Sequence, residues 1–338
     1  MRNRALITGV TGQDGFYLAE ELFRCGYQVT GLVRGQRNPM VPALRRQLPD
    51  LDIVHGDLLD QGSLITAVDA VQPDEVYNLG ALSFVPSSWQ QPMLTSETTG
   101  LGPLRMLEAI RVVSGSNGST SSQPGIRFYQ ASTFEMFGQV SSSPQDEMTP
   151  FHPRSPYATA KAHGHYTTQN YRESYGMFAV SGIMFNHESP RRSEEFMTRK
   201  VSVAVARIAL GLDQELRLGN LCAQRDWGYA GDYVTAMRTM LQADRAEDYV
   251  IGTGAIHSVR DLVRIAFDCV CLDWEKYVIV DNDLLRPDAG VLCGDARKAR
   301  QRLGWSPLTS FEQLVSSMVE ADLHRLSAAP AHDRRSRR

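Results

Sequence analysis

Cysteine is scarce in this 338-residue chain, and none of Cys25, Cys222, Cys269, Cys271 and Cys293 is spaced as a CxxC pair. An odd, unpaired set signals neither a disulfide framework nor a structural zinc site, and it points to a reducing cytoplasm. Long apolar runs are also missing. Nothing approaches a membrane span, and Met1-Arg2-Asn3-Arg4 passes straight into a short strand with no room for a signal peptide's apolar region. Charge of one sign is not in excess, since 35 basic residues face 38 acids for a net charge of -3. That near-neutrality argues against a nucleic-acid partner held by an overall field. No HExxH is present, and His163 and His165, two residues apart, fall on different faces of a helix, so no metal is indicated.

What is there is the composition of an ordinary globular protein, 42% hydrophobic and 22% charged, which excludes disorder, collagen-like repetition and coiled coil for most of the chain. The length suits a dinucleotide-binding unit with a substantial added lobe. Short apolar runs at 5–8, 28–33, 52–54, 75–79, 128–132 and 178–184 read as six strands with helical segments between them. This alternation implies an α/β fold, a Rossmann-type doubly wound parallel sheet with helices on both faces. Beyond about residue 187 the segments shorten, with helices expected at 198–209, 232–241, 258–268 and 311–323. We therefore read residues 1–186 as mainly the cofactor-binding domain. Residues 187–325 read as a smaller mixed α/β substrate-binding lobe interleaved with the sheet, and 326–338 as a flexible basic tail. The polar run Ser114 to Ser122 reads as a surface loop.

The first strand ends in Thr8-Gly9-Val10-Thr11-Gly12-Gln13-Asp14-Gly15, immediately before a helix. Glycines there permit a tight turn and let helix N-terminal amides approach a pyrophosphate, whose charge the helix dipole stabilises. We assign Gly9, Gly12, Gln13, Asp14 and Gly15 to the cofactor. NAD-preferring enzymes usually carry an acid at the end of the second strand to bind the adenosine ribose. Here Arg34 stands at that place, and a guanidinium pairs with a 2'-phosphate, so NADP is expected over NAD. Asp57 and Leu58, after the third strand, are adenine-contact candidates.

Tyr157 and Lys161 share one helix face, with Pro156 marking the helix start. An ammonium near a phenol lowers the phenol's pKa and fits Tyr157 for acid/base work on a sugar hydroxyl. A Tyr with a Lys four residues on is by itself a common surface pair; its weight comes from Ser132-Thr133-Phe134-Glu135 after the fifth strand. Side chains at that carboxyl edge point into the site of a parallel sheet. Thr133 can hydrogen-bond the same hydroxyl as Tyr157, and Glu135 offers a base for a proton next to a new ketone. His187 reads as a hydrogen-bonded structural residue, and Trp89 and Trp227 as packing residues.

These segments, with Phe151 to Tyr157, Phe185 to Arg192, Thr198 to Lys200 and Arg225 to Gly228, resemble an extended short-chain dehydrogenase/reductase of the GDP-mannose 4,6-dehydratase family from about Ala5 to Leu323. The resemblance implies that cofactor oxidises C4, a glutamate removes the C5 proton, water leaves from C6, and hydride returns to C6. It makes Tyr157 the C4 base, Lys161 its tuner and ribose clamp, Thr133 a second C4 contact and Glu135 the C5 base. It assigns Ser83, Asn186, Lys200, Arg225 and Arg286 to the GDP-sugar. Arg191-Arg192 would reach a neighbouring subunit's cofactor, Arg192 being the cofactor contact, in a homodimer or homotetramer.

The chain departs from that family at three places. Phe134 stands where a small hydroxyl residue is usual, removing a group able to help the C6 hydroxyl leave, which leaves water or Glu135 itself. The segment from Arg286 to Asp295 is one residue shorter and lacks the glutamate that holds the guanosine ribose. Ser193 replaces a glycine, which would cost roughly a kcal/mol at a positive φ. A GDP-sugar 4-epimerase, or a dehydratase of a sugar altered or elongated at C6, is the alternative reading, and a catalytically silent cofactor-binding scaffold a third.

Overall fold

The computed structural model describes residues 2–115, 125–284 and 290–328. The polar insert from 116, Arg286 and the tail from 329 fall outside the described residues. The strands are β1 (Arg4–Thr8), β2 (Gln28–Val33), β3 (Asp52–His55), β4 (Glu75–Asn78), β5 (Arg127–Thr133), β6 (Ala179–Met184) and β7 (Asn186–Glu188). They continue as β8 (Leu216–Leu218), β9 (Gln224–Arg225), β10 (Trp227–Tyr229), β11 (Tyr249–Ile251), β12 (His257–Ser258) and β13 (Val278–Val280). The helices are α1 (Gln13–Arg24), α2 (Val41–Gln47), α3 (Gln61–Val71), α4 (Val85–Gln90), α5 (Pro92–Thr95) and α6 (Gly102–Val113). After them come α7 (Pro156–Tyr175), α8 (Met197–Ala209), α9 (Ala230–Gln242), α10 (Val259–Asp268), α11 (Arg297–Leu303) and α12 (Phe311–Ala328).

Seven parallel strands form the central sheet in the order β11-β6-β5-β4-β1-β2-β3. All six strands expected from the sequence are in it. The seventh, β11, comes from the later part of the chain; three residues are too few to show a period. One face of the sheet packs Val10, Leu18 and Leu22 of the α1 region with Met237 and Met240 of α9. The other face packs Leu64 and Val68 of α3 with Met106 and Ile110 of α6. The helix expected at 232–241 therefore returns to the sheet, while α8, α10 and α12 bury Val201, Leu262, Val315 and their neighbours in a separate core with Trp227.

The strand order reverses between β1 and β4, and at such a point a crevice opens beyond the carboxyl ends of the strands. Gly9, at φ +70°, lies across this crevice from Gly80, and a Cβ on it would sit 2.9 Å from the Gly80 amide nitrogen. Two expectations need correcting. Ser193 is not at a positive φ, since among the described non-glycine residues only Gln72 and Cys271 are, so its side chain brings no backbone strain. Trp227 is buried and stacked on Phe311 at 5.6 Å, but Trp89 is exposed and is not a packing residue.

Candidate active site

The glycine turn is built for a close approach. A Cβ on Gly15 would lie 2.4 Å from the Gly9 carbonyl oxygen, and the Gly12 amide donates to that same oxygen at 2.9 Å. Helix α1 begins at Gln13 with no side-chain cap, which leaves its first amides for a ligand. These features fit a dinucleotide's pyrophosphate.

Opposite the turn, α7 supplies two functional groups for local reasons. The Ser155 hydroxyl accepts the Ala158 amide at 3.1 Å, Pro156 opens the helix, and Gly176 closes it in the left-handed conformation. The twenty residues between carry Tyr157 and Lys161 on the face toward the ends of β5 and β6. Together with the turn they enclose a cleft of about 310 Å³. From the sequence-assigned residues, the cleft gathers Gly9, Gly12, Gln13, Asp14, Gly15 and Ser83 on one side. Thr133, Glu135, Tyr157, Lys161, Asn186 and Arg192 line the other.

Thr133 ends β5, hydrogen-bonds Tyr157, and accepts the Glu135 amide at 3.3 Å. It thereby links the phenol and the carboxyl. Burial pushes the Glu135 pKa above the usual carboxylate range, against the opposing pull of Arg225. Burial also pushes the Tyr157 phenol up, and Glu135 adds to the rise while Arg192 and the Thr133 hydrogen bond oppose it. Lys161 Nζ is 5.7 Å from the centre of the Tyr157 ring and donates to the Ala131 carbonyl at 2.7 Å. Burial lowers its pKa to about 8, with Asp14 opposing. Arg192 is thus a cation that opposes the rise at Tyr157, and Lys161 stands over the same ring.

Arg192 is held by Glu188 at 3.2 Å and lies 3.5 Å over the Phe196 ring. Arg191 lies over Phe16 of its own chain and donates to Gln47. Asn186 Oδ1 is buried with no partner, an acceptor left over for a ligand donor.

Other assigned residues stand outside this cleft. Arg34 is exposed beyond the end of β2. Asp57 takes the Leu59 amide on its own carboxylate, while the Leu58 side chain belongs to the α3–α6 core. Lys200 donates to the Arg217 carbonyl, and Arg225 lies on β9, near enough to Glu135 to affect its charge.

Two features had no strong local signal. Asp14 and His187 face each other at 2.8 Å between His187 Nε2 and the carboxylate, 173 residues apart in sequence. Phe134 stacks on Phe185 at 5.3 Å inside an apolar cluster with Met136 and Phe137 while lining the cleft. The Phe185-Asn186-His187 stretch hinted at the first through its mix of residue types; nothing short-range pointed to the second.

The family model of GDP-mannose 4,6 dehydratase matches residues 6–318. The chain is 46% identical over 331 residues to GDP-mannose 4,6 dehydratase 1 of Arabidopsis thaliana, covering 95% of this chain and 90% of that one. A dTDP-glucose 4,6-dehydratase from Streptomyces venezuelae, solved with NAD bound, superposes with a TM-score of 0.80 at 25% identity, covering 96% and 98% of the two chains. RMD from Pseudomonas aeruginosa complexed with NADPH shares the fold, with a TM-score of 0.79 at 22% identity over 96% and 99%.

Proposed function

The chain belongs to the GDP-mannose 4,6-dehydratase family, and from that premise we infer that it is a lyase converting GDP-mannose to GDP-4-keto-6-deoxymannose with NADP(H) as its cofactor. The observation that carries this reading is the joining of Tyr157 and Glu135 through Thr133 in one cleft, which supplies separate groups for C4 and for C5. An epimerase confined to C4 has no use for the second.

Gly9, Gly12 and the free amides of α1 would hold the pyrophosphate, Lys161 the ribose, Arg34 the 2'-phosphate, and Asp57 with the Leu58 backbone the adenine. The chemistry a nicotinamide supplies there is hydride transfer out of C4 and back into C6. Tyr157 takes the C4 hydroxyl proton as its phenolate, the form that Arg192 and the Thr133 hydrogen bond favour against burial. Glu135 then removes the C5 proton, now acidic beside the ketone, and its raised pKa makes it a stronger base than an exposed carboxylate.

Asp14, the other acid lining the cleft, is engaged by His187, and Phe134 offers no proton. Glu135 therefore carries the C5 proton to the leaving C6 oxygen. The C5–H bond breaks, its electrons form the C5=C6 bond, the C6–O bond breaks, and one water departs; C5 then regains a proton that Glu135 takes from solvent. The phenyl wall of Phe134 and Phe185 keeps bulk water from competing for the proton on its way to the C6 oxygen. Assembly as a homodimer or homotetramer and residence in the cytoplasm are part of the same reading. Among the described residues no helix is long and apolar enough to cross a membrane.

The test is incubation of the pure protein with GDP-mannose and analysis of products by mass. Loss of one water supports the dehydratase, while an isomer of unchanged mass would replace it with the 4-epimerase. In Glu135→Gln, reduced cofactor should accumulate after C4 oxidation while solvent deuterium stays out of C5.

A further inference from the structure

Tyr157 and Lys161 are followed on the same stripe of α7 by His165, one further turn along. Its ring is buried, and Nδ1 lies 3.2 Å from the Ser132 hydroxyl of β5. Ser132 is the middle of three residues whose neighbours serve the chemistry directly. On one side the Ala131 carbonyl takes the Lys161 ammonium at 2.7 Å. On the other, Thr133 holds Tyr157 and the Glu135 amide. The His165 bond from α7 thus holds the middle of the segment whose flanking residues meet the ammonium, the phenol and the Glu135 amide.

The ring itself is fixed from every side. Phe151 meets it edge-on at 5.1 Å, and Nε2 stands 4.0 Å from the Asp248 carboxylate. Asp248 is in turn gripped by Arg172 at 2.8 and 2.7 Å and by the Ser181 amide at 2.8 Å. A separate cavity of about 470 Å³ adjoins this side, bounded also by Glu147, Glu247 and Lys298. Burial disfavours the charged ring, against the attraction of Asp248. With the neutral ring's proton on Nε2, the side of the carboxylate, Nδ1 is the acceptor for the Ser132 hydroxyl.

We propose that His165 is a positioning residue of the reaction, holding the carboxyl end of β5 through Ser132 so that Thr133 and the Ala131 carbonyl present Tyr157 and Lys161 to the substrate. It touches no reacting atom. The proposal rests on the dehydratase reading only for its choice of substrate.

The experiment compares the full-length protein with His165→Leu, Ser132→Ala, the double variant and His165→Asn, whose amide can reach the Nδ1 position. Turnover of GDP-mannose should fall about 10–100-fold in kcat in His165→Leu, as for a small misplacement of catalytic groups, with KM changed less than about two-fold. Ser132→Ala should behave alike, the double variant should be no worse than either, and His165→Asn should recover most of the rate.

A second readout needs no substrate. The chain has only four lysines, Lys161, Lys200, Lys276 and Lys298, so carbon-13 methyl labelling resolves the Lys161 titration. Its midpoint near 8 should move by roughly half a unit or more when the Ala131 carbonyl shifts. A purely structural histidine would lower the melting temperature and leave kcat of the folded fraction and the Lys161 midpoint unchanged. That result, or additive losses in the double variant, overturns the proposal. If the wild type fails to dehydrate GDP-mannose, the functional reading falls and the lysine titration still decides the role of His165. Should His165→Leu not fold, Ser132→Ala and His165→Asn carry the same comparison.

Discussion

Replacing His187 by glutamine should cost the protein roughly 2–3 kcal/mol, and the cost should depend on pH in a defined way. Both ring nitrogens face acceptors only, Nε2 the Asp14 carboxylate at 2.8 Å and Nδ1 the Phe185 carbonyl at 2.7 Å. The ring must therefore carry both protons, as an imidazolium beside a carboxylate. Burial would raise the Asp14 pKa, yet His187, with Gln13 and Arg192, draws it from its ordinary 3.8 down to about 2. At about 1.4 kcal/mol per pKa unit, that depression is worth roughly 2–3 kcal/mol, with His187 the largest of the groups that produce it.

The Asp14 contribution is complete above its ordinary pKa and is lost as pH falls through about 2. Burial pulls the His187 pKa down, but Asp14 outweighs it and the net shift is upward. The histidine's contribution is therefore complete below its ordinary 6.5 and lost as pH rises through the raised value. The pair is at full strength from about pH 4 to about pH 6.5. Urea denaturation of wild type and His187→Gln across pH should show the largest gap in that window and a narrowing gap on the alkaline side. Because Asp14 opens α1, cofactor affinity should weaken in the variant. A stability gap that is absent, or that does not change with pH, would refute the imidazolium assignment.

Arg34→Ala should weaken NADP(H) binding far more than NAD(H) binding in fluorescence titrations, because only NADP(H) has a 2'-phosphate to lose; equal losses would remove Arg34 from the site. Lys161, with its pKa lowered by burial to about 8, changes from ammonium to amine as pH rises through that value. Cofactor affinity measured by calorimetry should decline above pH ~8 in the wild type and stay level in Lys161→Arg. Asp322 is fully buried and pairs with Arg199, joining α8 to α12. Asp322→Leu alone should cost ~3–5 kcal/mol by stranding that cation, and adding Arg199→Met should recover most of it in thermal unfolding.

Much of this protein was legible without coordinates because the signals were short-range. A strand stopped by Gly9 and followed by a helix specifies a phosphate turn from a dozen residues, and a helix start at Pro156 puts Tyr157 and Lys161 on one face. Alternating strands and helices gave the doubly wound sheet and, through the resemblance carried by those motifs, the chemistry. Where a residue's role depends on what the sheet brings beside it, local pattern is silent.

Asp14, in the first turn of α1, meets His187, on β7, only once the parallel strands that precede them are in order. His165 reaches Ser132 because α7 lies along β5. Trp89 and Trp227 are the same residue type with opposite fates, one exposed on α4 and the other stacked in the second core. Periodicity and turn chemistry are written within a few residues, so sequence determined the elements and, through the motifs, the candidate groups for the chemistry. Burial and partnership are set by chain segments up to 217 positions apart, so only the tertiary structure decided which charges are paired and which side chains are shielded.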